Sequence, residues 1–190
     1  LGNGMNNYID ALSSFQGNLY AGGGFTMADG NPANYIAKWN GTNWIPLGSG
    51  TNASVSNLTA NQNFLFAAGT FTNAGGVNVK YIAQWDGNNW YDVGGGINNT
   101  YVLGLYADTA TNDIYAGAMW TPTVYRWNGV NWYNVCGTMG PPDNAASLVL
   151  FKGELYVNSG FGNIPVFKCS SPVGVIDIAK NEGEIHFIPN

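Results

Sequence analysis

Short runs of alternating hydrophobic and polar residues, bounded by Gly, Asn and Pro, occupy most of the chain. The runs "LYAGGGFT" (19–26) and "YIAKW" (35–39) show the pattern. An alternation with a period of two is typical of β-strands that bury one face. No segment has hydrophobic residues at the spacing of an amphipathic helix. The pattern therefore predicts an all-β protein made of short strands.

These strand patterns recur at a nearly constant interval. The first pattern returns as "LFAAGTFT" (65–72), "IYAGAMWT" (114–121) and "LYVNSGFG" (155–162), and the second as "YIAQW", "VYRW" and "VFKC". Their shared last position is Trp39, Trp85, Trp127 and Cys169, in steps of 46, 42 and 42 residues. A period of this length corresponds to one supersecondary unit, here of four strands.

A tryptophan-bracketed turn closes each of the first three units. It reads "WNGTNW" (39–44), "WDGNNW" (85–90) and "WNGVNW" (127–132). Asn-Gly and Asp-Gly supply the positive φ angles of a tight hairpin, and the spacing places both tryptophans on one face. The residues given this structural role are Trp39, Trp44, Trp85, Trp90, Trp127, Trp132, Gly41, Gly87 and Gly129.

A four-stranded unit cannot bury an aromatic face alone and must stack on its copies. Radial stacking of such units, called blades, gives a β-propeller. We therefore predict blades over residues 1–170 and a separate tail over 171–190. The opening "LGNGMNN" matches the end of a unit, so we expect a piece of a larger ring. The tryptophans are expected to pack between blades rather than to stack on sugars.

Composition excludes several classes of partner. Only 9% of the residues are charged, and 6 Lys and Arg stand against 11 Asp and Glu, for a net charge of −5. Such a surface has no basic stripe for nucleic acid. No apolar run reaches the 18 to 20 or so residues of a membrane helix.

The combined motif "LYAGGxFT…YIAxWxGxxWxxLGxG" resembles the kelch-like propeller repeats of large secreted proteins of Bacteroidetes. The resemblance covers residues 1 to about 170. The closing "IHFIPN" (185–190) is similar to the junction where a type IX sorting domain begins, although Phe187 stands where that family usually has Tyr. The resemblance implies export by the secretion machinery, which reads the sorting domain, and an extracellular or outer cell-surface location.

Residues for catalysis are sparse. His186 is the single histidine, so a site built from several imidazoles is excluded within this chain. The carboxylates occupy unrelated repeat positions, whereas a glycosidase needs a converging pair. We predict a protein that is not an enzyme, with a glycosidase or lyase as the less favoured alternative.

Binding is predicted in the long loops of the first two units, because loops on a rigid scaffold commonly carry recognition. The expected partner is a carbohydrate or a surface protein. A structural spacer or assembly module in a surface protein or filament is the alternative. No cofactor is expected, although Asp29-Gly30-Asn31 could help to hold calcium. The candidate binding residues are Asp29, Asn31, Asn34, Asn73, Asn78 and Trp120.

The two cysteines form neither a disulfide framework nor a metal-binding spacing. Cys136 replaces the Gly48 and Gly94 of earlier units, and Cys169 replaces a tryptophan in the next unit. Although a single bridge is possible, these positions are not evidently within disulfide reach. We expect two unpaired, buried thiols.

Overall fold

The structure is a computed structural model that describes residues 1–97, 101–119, 123–136, 145–158 and 166–169. All regular elements in these ranges are β-strands. The described residues contain no helix that is long and apolar enough to cross a membrane. The prediction of an all-β fold is confirmed.

The strands fall into four consecutive units. The first contains β1 (Ile9–Phe15), β2 (Asn18–Gly23), β3 (Met27–Ala28), β4 (Asn31–Pro32), β5 (Ile36–Trp39) and β6 (Trp44–Pro46). The second contains β7 (Val55–Ala60), β8 (Leu65–Gly69), β9 (Asn73–Ala74), β10 (Val77–Asn78), β11 (Ile82–Trp85) and β12 (Trp90–Asp92). The third contains β13 (Val102–Ala107), β14 (Ile114–Ala118), β15 (Val124–Trp127) and β16 (Trp132–Asn134), and the fourth β17 (Ser147–Phe151), β18 (Glu154–Asn158) and β19 (Phe167–Lys168).

Each unit forms one antiparallel sheet. The strand orders are β1-β2-β5-β6, β7-β8-β11-β12, β13-β14-β15-β16 and β17-β18-β19. The remaining pairs, β3-β4 and β9-β10, are short hairpins inserted between the second and third strands of the first two sheets. The first strands of successive sheets lie beside one another, so the sheets are arranged around a common side.

The tryptophan-bracketed turns are four-residue hairpin loops. Trp39 pairs directly with Trp44 in the strand register, and the two equivalent pairs do the same. The indole rings of each pair are 5.2 to 5.5 Å apart between centroids. The side-chain oxygen at the first loop position accepts backbone N–H groups two and three residues later. The following glycines, Gly41, Gly87 and Gly129, have φ of 99°, 109° and 94°.

Each sheet has two chemically different faces. One, which we call the Trp face, carries the first-strand leucine and the third-strand tryptophan, Leu12 and Trp39 in the first sheet. The other is the Tyr face. It carries the aromatic residue of the second strand and the first residue of the third strand, which are Tyr20 and Ile36 in the first sheet. In the fourth sheet Cys169 takes the position of the tryptophan.

The Tyr face of each sheet packs on the Trp face of the next, and this happens three times. The residues that meet are Tyr20 and Ile36 with Leu58 and Trp85, Phe66 and Ile82 with Leu105 and Trp127, and Tyr115 and Val124 with Leu148 and Leu155. Repeated face-to-face packing of four-stranded sheets is the architecture of a β-propeller. The four sheets form part of such a propeller, as the repeats predict.

Glycine in the second strand allows two sheets to approach closely. A side chain at Gly22 would run into Val55 and Leu58 of the second sheet. Gly117 of the third sheet is similarly placed against the backbone of Ala145. The glycine-rich strand pattern therefore reflects the short distance between sheets.

The two cysteines form a disulfide, so the prediction of unpaired thiols is wrong. The Cα atoms of Cys136 and Cys169 are 5.2 Å apart, within the usual range. The repeat explains why they meet. Gly94 is the equivalent of Cys136 one unit earlier, and a side chain there would meet the ring of Trp127, the equivalent of Cys169. The bridge thus joins the third and fourth sheets. It occupies the place where Gly94 and Trp127 touch between the second and third sheets.

Removing the bridge is expected to loosen the fourth sheet. The cysteines are separated by 33 residues, and closing a loop of that length in the unfolded chain corresponds to about 3 to 4 kcal/mol of stabilisation. Cys136→Ser combined with Cys169→Ser should lower the free energy of unfolding by that amount in chemical denaturation. Wild-type protein in a reducing agent is the control and should behave like the double variant. Two free thiols in the mass of the unreduced protein would contradict the assignment.

Candidate binding surface

The candidate binding residues that the structure describes lie in or beside the inserted hairpins. The inserted hairpins β3-β4 and β9-β10 lie where second strands end and third strands begin, and the segments that enter first strands reach the same end. We call this the hairpin end. The tryptophan-bracketed turns lie at the opposite end, the turn end. The inserted hairpins also reach the tryptophan-bracketed turns, because Asp29 accepts the backbone N–H of Trp44 and Gly75 lies against the ring of Trp90.

Asp29 fastens the first hairpin to its sheet. Its carboxylate accepts the backbone N–H of Trp44 at 2.5 Å and that of Asn3 at 2.5 Å. Its own N–H donates to the carbonyl of Gly4. The N–H donor of Trp44, followed by that of Asn3, holds the pKa of Asp29 below its usual value of 3.8. Both carboxylate oxygens are engaged by the protein.

The neighbouring asparagines also bond within the chain. Asn31 Nδ2 donates to the carbonyl of Asp29 at 3.3 Å, and Asn34 Nδ2 donates to the carbonyl of Ser49 at 3.0 Å. Both residues are exposed. The structure therefore brings Asp29, Asn31 and Asn34 together around one hairpin, where their hydrogen bonds shape the loop.

The second hairpin is fixed by different atoms. Asn73 Oδ1 accepts the N–H of Gly76 at 3.0 Å, and Asn73 Nδ2 donates to Asn78 Oδ1 at 3.5 Å. The N–H of Gly75 donates to the carbonyl of Gly50 at 2.8 Å. Asn73 and Asn78 are thus together, one unit away from the first group. Trp120, the remaining candidate, lies outside the described residues.

Two asparagines that the sequence reading passed over support these hairpins. Asn6 Oδ1 accepts the N–H groups of Thr26 and Met27, each at 2.9 Å. Asn52 Oδ1 accepts the N–H groups of Thr72 and Asn73, at 2.8 and 3.0 Å. Asn6 and Asn52 are 46 residues apart, and each lies three residues before the first strand of its sheet. This recurrence is the sequence signal that could have identified them.

Four tyrosines lie at the hairpin end, each directly before a strand. Tyr8 and Tyr101 immediately precede first strands and are 55% and 39% exposed. Tyr35 and Tyr81 immediately precede third strands and are half-buried. The rings of Tyr81 and Tyr101 meet edge to face with centroids 5.1 Å apart. We call these four residues the tyrosine group.

Two members of the tyrosine group have an unusual backbone conformation. Tyr35 and Tyr81 have φ of 66° and 65°. This left-handed region costs a non-glycine residue about 1 to 2 kcal/mol. A backbone hydrogen bond holds each of them in place. The N–H of Tyr35 donates to the carbonyl of Phe25, and the N–H of Tyr81 donates to the carbonyl of Phe71. The sequence signal is the Tyr that precedes "IAKW" and "IAQW".

The turn end holds the buried carboxylates. Asp108 and Asp113 lie on either side of the Thr111 hydroxyl, at 3.0 and 2.8 Å, and Arg126 Nε donates to Asp113 at 2.8 Å. Asp108 also accepts the N–H of Ala110. Each carboxylate therefore has donors from its own sheet. No group of three or more metal-binding side chains occurs in the part of the chain that the structure describes.

Comparison with solved structures gives the class of protein, a β-propeller. The chain superposes on the computationally designed Ika4 protein with a TM-score of 0.55 at 16% identity, over 90% of this chain and 96% of that one. It superposes on YCF48 bound to a D1 peptide with a TM-score of 0.54 at 16% identity, over 80% and 47%. At such identities the likeness shows the fold alone.

A third similar structure is the extracellular domain of a hybrid two component system from B. thetaiotaomicron. Its TM-score is 0.56 at 13% identity, over 86% of this chain and 21% of that one. The chain thus spans about half of the YCF48 chain and about a fifth of the two component system chain. No protein-family model and no curated protein matches the sequence.

Asp29 predicts a pH-dependent contribution to stability. Because the pKa of Asp29 is lowered in the folded protein, its stabilising effect is present above the unfolded value of 3.8 and is lost as the pH falls through the folded value. Asp29→Asn should therefore unfold at lower denaturant concentration than wild type at pH 7, and the difference should shrink in acid. Asn31→Ala is the matched control, and its effect should not vary with pH. An Asp29→Asn effect that is constant with pH would contradict the assignment.

Proposed function

We propose that this chain is a non-enzymatic binding module that recognises a protein partner through the tyrosine group at the hairpin end. The observation that carries the proposal is the exposure of Tyr8 and Tyr101 on a rigid sheet scaffold. Tyrosine provides a large amphipathic contact area at little cost in conformational entropy. The low charge of the chain favours a neutral partner segment over a charged one.

The inserted hairpins would form the border of this surface. Asn31 and Asn78 are exposed, and an amide has more hydrogen-bonding groups than the single bond that each makes here. They could pair with the backbone of an extended peptide. YCF48, which shares the fold, is seen with a bound peptide. That complex supports a peptide as the first ligand class to test.

A carbohydrate is the second candidate ligand. Exposed tyrosine rings beside exposed amides are also suited to sugars, because the rings can stack and the amides can bond hydroxyl groups. A carbohydrate and a peptide would use the same side chains. The experiment must therefore include both classes.

We further propose that the chain acts outside the cell or at the outer cell surface. The resemblance to kelch-like repeats of Bacteroidetes supports this location, as does the sorting-junction motif within 171–190, which lies outside the described residues. The Cys136–Cys169 disulfide adds physical support, since disulfides persist in oxidising compartments. On this proposal, type IX secretion machinery is a further partner.

Substitutions in the tyrosine group test the proposed function. The wild-type chain is screened against a peptide array and a glycan array, and binding is measured for Tyr8→Ala and Tyr101→Ala. We expect a bound peptide whose dissociation constant rises at least about tenfold in each variant, the size of a typical interface hot spot. Tyr133→Ala, which removes a similarly exposed tyrosine of β16, should bind as wild type.

Three results would contradict the proposal. Binding that survives Tyr8→Ala combined with Tyr101→Ala would place the site elsewhere. A hit confined to glycans and lost in both variants would support the carbohydrate candidate instead. No hit on either array would leave the tyrosine group without a binding role.

A further inference from the structure

The outer sheets expose hydrophobic side chains whose equivalents in the interior sheets are buried. Leu12, on the Trp face of the first sheet, is 59% exposed, while its equivalents Leu58 and Leu105 are 7% and 8% exposed. Trp39 on the same face is half-buried, although the equivalent Trp85 is buried. The hairpin of the same unit buries Ala21, Ala37 and Trp44 on this face. The part that described residues leave exposed is therefore the area around Leu12 and Trp39.

The Tyr face of the fourth sheet shows the complementary exposure. Val166 is 62% exposed, whereas its equivalents Ile36, Ile82 and Val124 are fully buried. Phe151 is 57% exposed, whereas its equivalent Phe15 is 4% exposed. In the first and second sheets, the equivalent part of the Tyr face packs on the Trp face of the next sheet.

The two exposed faces are complementary because each of the three interfaces among the described residues joins a Tyr face to a Trp face. They do not cover each other within one chain, since Leu12 and Val166 are both exposed. A second copy offers the missing partner on both sides. The first sheet of the second copy can pack on the fourth sheet of the first copy. The first sheet of the first copy can likewise pack on the fourth sheet of the second.

Charge does not oppose this contact. The fourth-sheet Tyr face carries Lys168, which is paired with Glu154 at 2.5 Å. Equivalent positions in the covered faces are also polar or charged, namely Lys38, Gln84 and Arg126. A polar residue at the position of Lys168 is therefore compatible with a packed interface. The Lys168–Glu154 pair has no net charge.

We propose that two copies of this chain associate head to tail, with the Trp face of the first sheet of each copy packed on the Tyr face of the fourth sheet of the other. Two such contacts would close one ring. The eight described sheets of two copies lie within the usual range of about four to eight blades, which the twelve described sheets of three copies would exceed. Heterologous contacts of this kind make rings when the rotation closes.

Two charge substitutions test the contact in the full 190-residue chain. Sedimentation equilibrium of wild type should give a mass near twice 20.3 kDa. Leu12→Glu and Val166→Glu each place a charge on one face, and each should raise the dissociation constant by at least about 30-fold, the loss expected at an interface hot spot. Val130→Glu is the matched control, because Val130 is 71% exposed in a turn away from both faces. Its dimer should be unchanged.

Mixing the two variants determines the direction of association. The Leu12→Glu chain retains a normal fourth-sheet face, and the Val166→Glu chain retains a normal first-sheet face, so a mixture should form one head-to-tail contact and dimerise again. Near-UV circular dichroism of each variant checks that the fold is retained.

Three outcomes would overturn the proposal. The first is a wild-type chain that remains monomeric over the whole concentration range. The second is a dimer sensitive to only one substitution, which would mean that like faces meet. The third is a monomer destabilised by Val166→Glu, which would place a segment of the same chain on the fourth-sheet face.

Discussion

The packing of a Tyr face on a Trp face is the interaction on which the structure depends. A single sheet of this chain has hydrophobic side chains on both sides, and its own hairpin covers only part of one of them. A neighbouring sheet must remove the rest from water. Burial of one large aliphatic or aromatic side chain contributes about 1.5 to 3 kcal/mol relative to exposure. Because each interface buries several, such as Tyr20, Leu58 and Trp85 in the first, the series of interfaces dominates the stability.

The loops serve this packing before they serve recognition. The Asn and Asp side chains of the hairpins mostly satisfy backbone N–H groups, as Asp29 does for Trp44 and Asn52 does for Thr72. In a chain with 9% charged residues, neutral amides replace ion pairs in this role. The proposed recognition therefore rests on side chains that do not hold the loops, namely the tyrosine group.

Local sequence was sufficient to predict the sheets and turns. A hairpin loop of fixed length sets the parity of the flanking strands, so the spacing of Trp39 and Trp44 determined that both would share a face. The unpaired-thiol expectation was wrong because contact between Cys136 and Cys169 depends on the stagger between two sheets. The repeat contained that information only once Gly94 and Trp127 were seen to touch.

The candidate site was less accessible to sequence reasoning than the fold. The long loops drew attention to the inserted hairpins, but which of their polar side chains are already bonded, as Asn34 is to Ser49, depends on tertiary contacts. The tyrosine group was passed over because each member looks like an ordinary strand residue. The exposure of Tyr8 and Tyr101 and the positive φ of Tyr35 and Tyr81 both depend on the tertiary structure.

A double-mutant cycle between Gly22 and Val55 tests the sheet-on-sheet packing most directly. Gly22→Ala adds a methyl group against Val55, and Val55→Ala removes part of the obstruction. Overpacking alone costs about 1 to 3 kcal/mol. The account predicts that the double variant is more stable than the sum of the single effects implies, by about 1 kcal/mol or more in the free energy of unfolding. Strict additivity would show that the two sheets do not meet there and would contradict the packing.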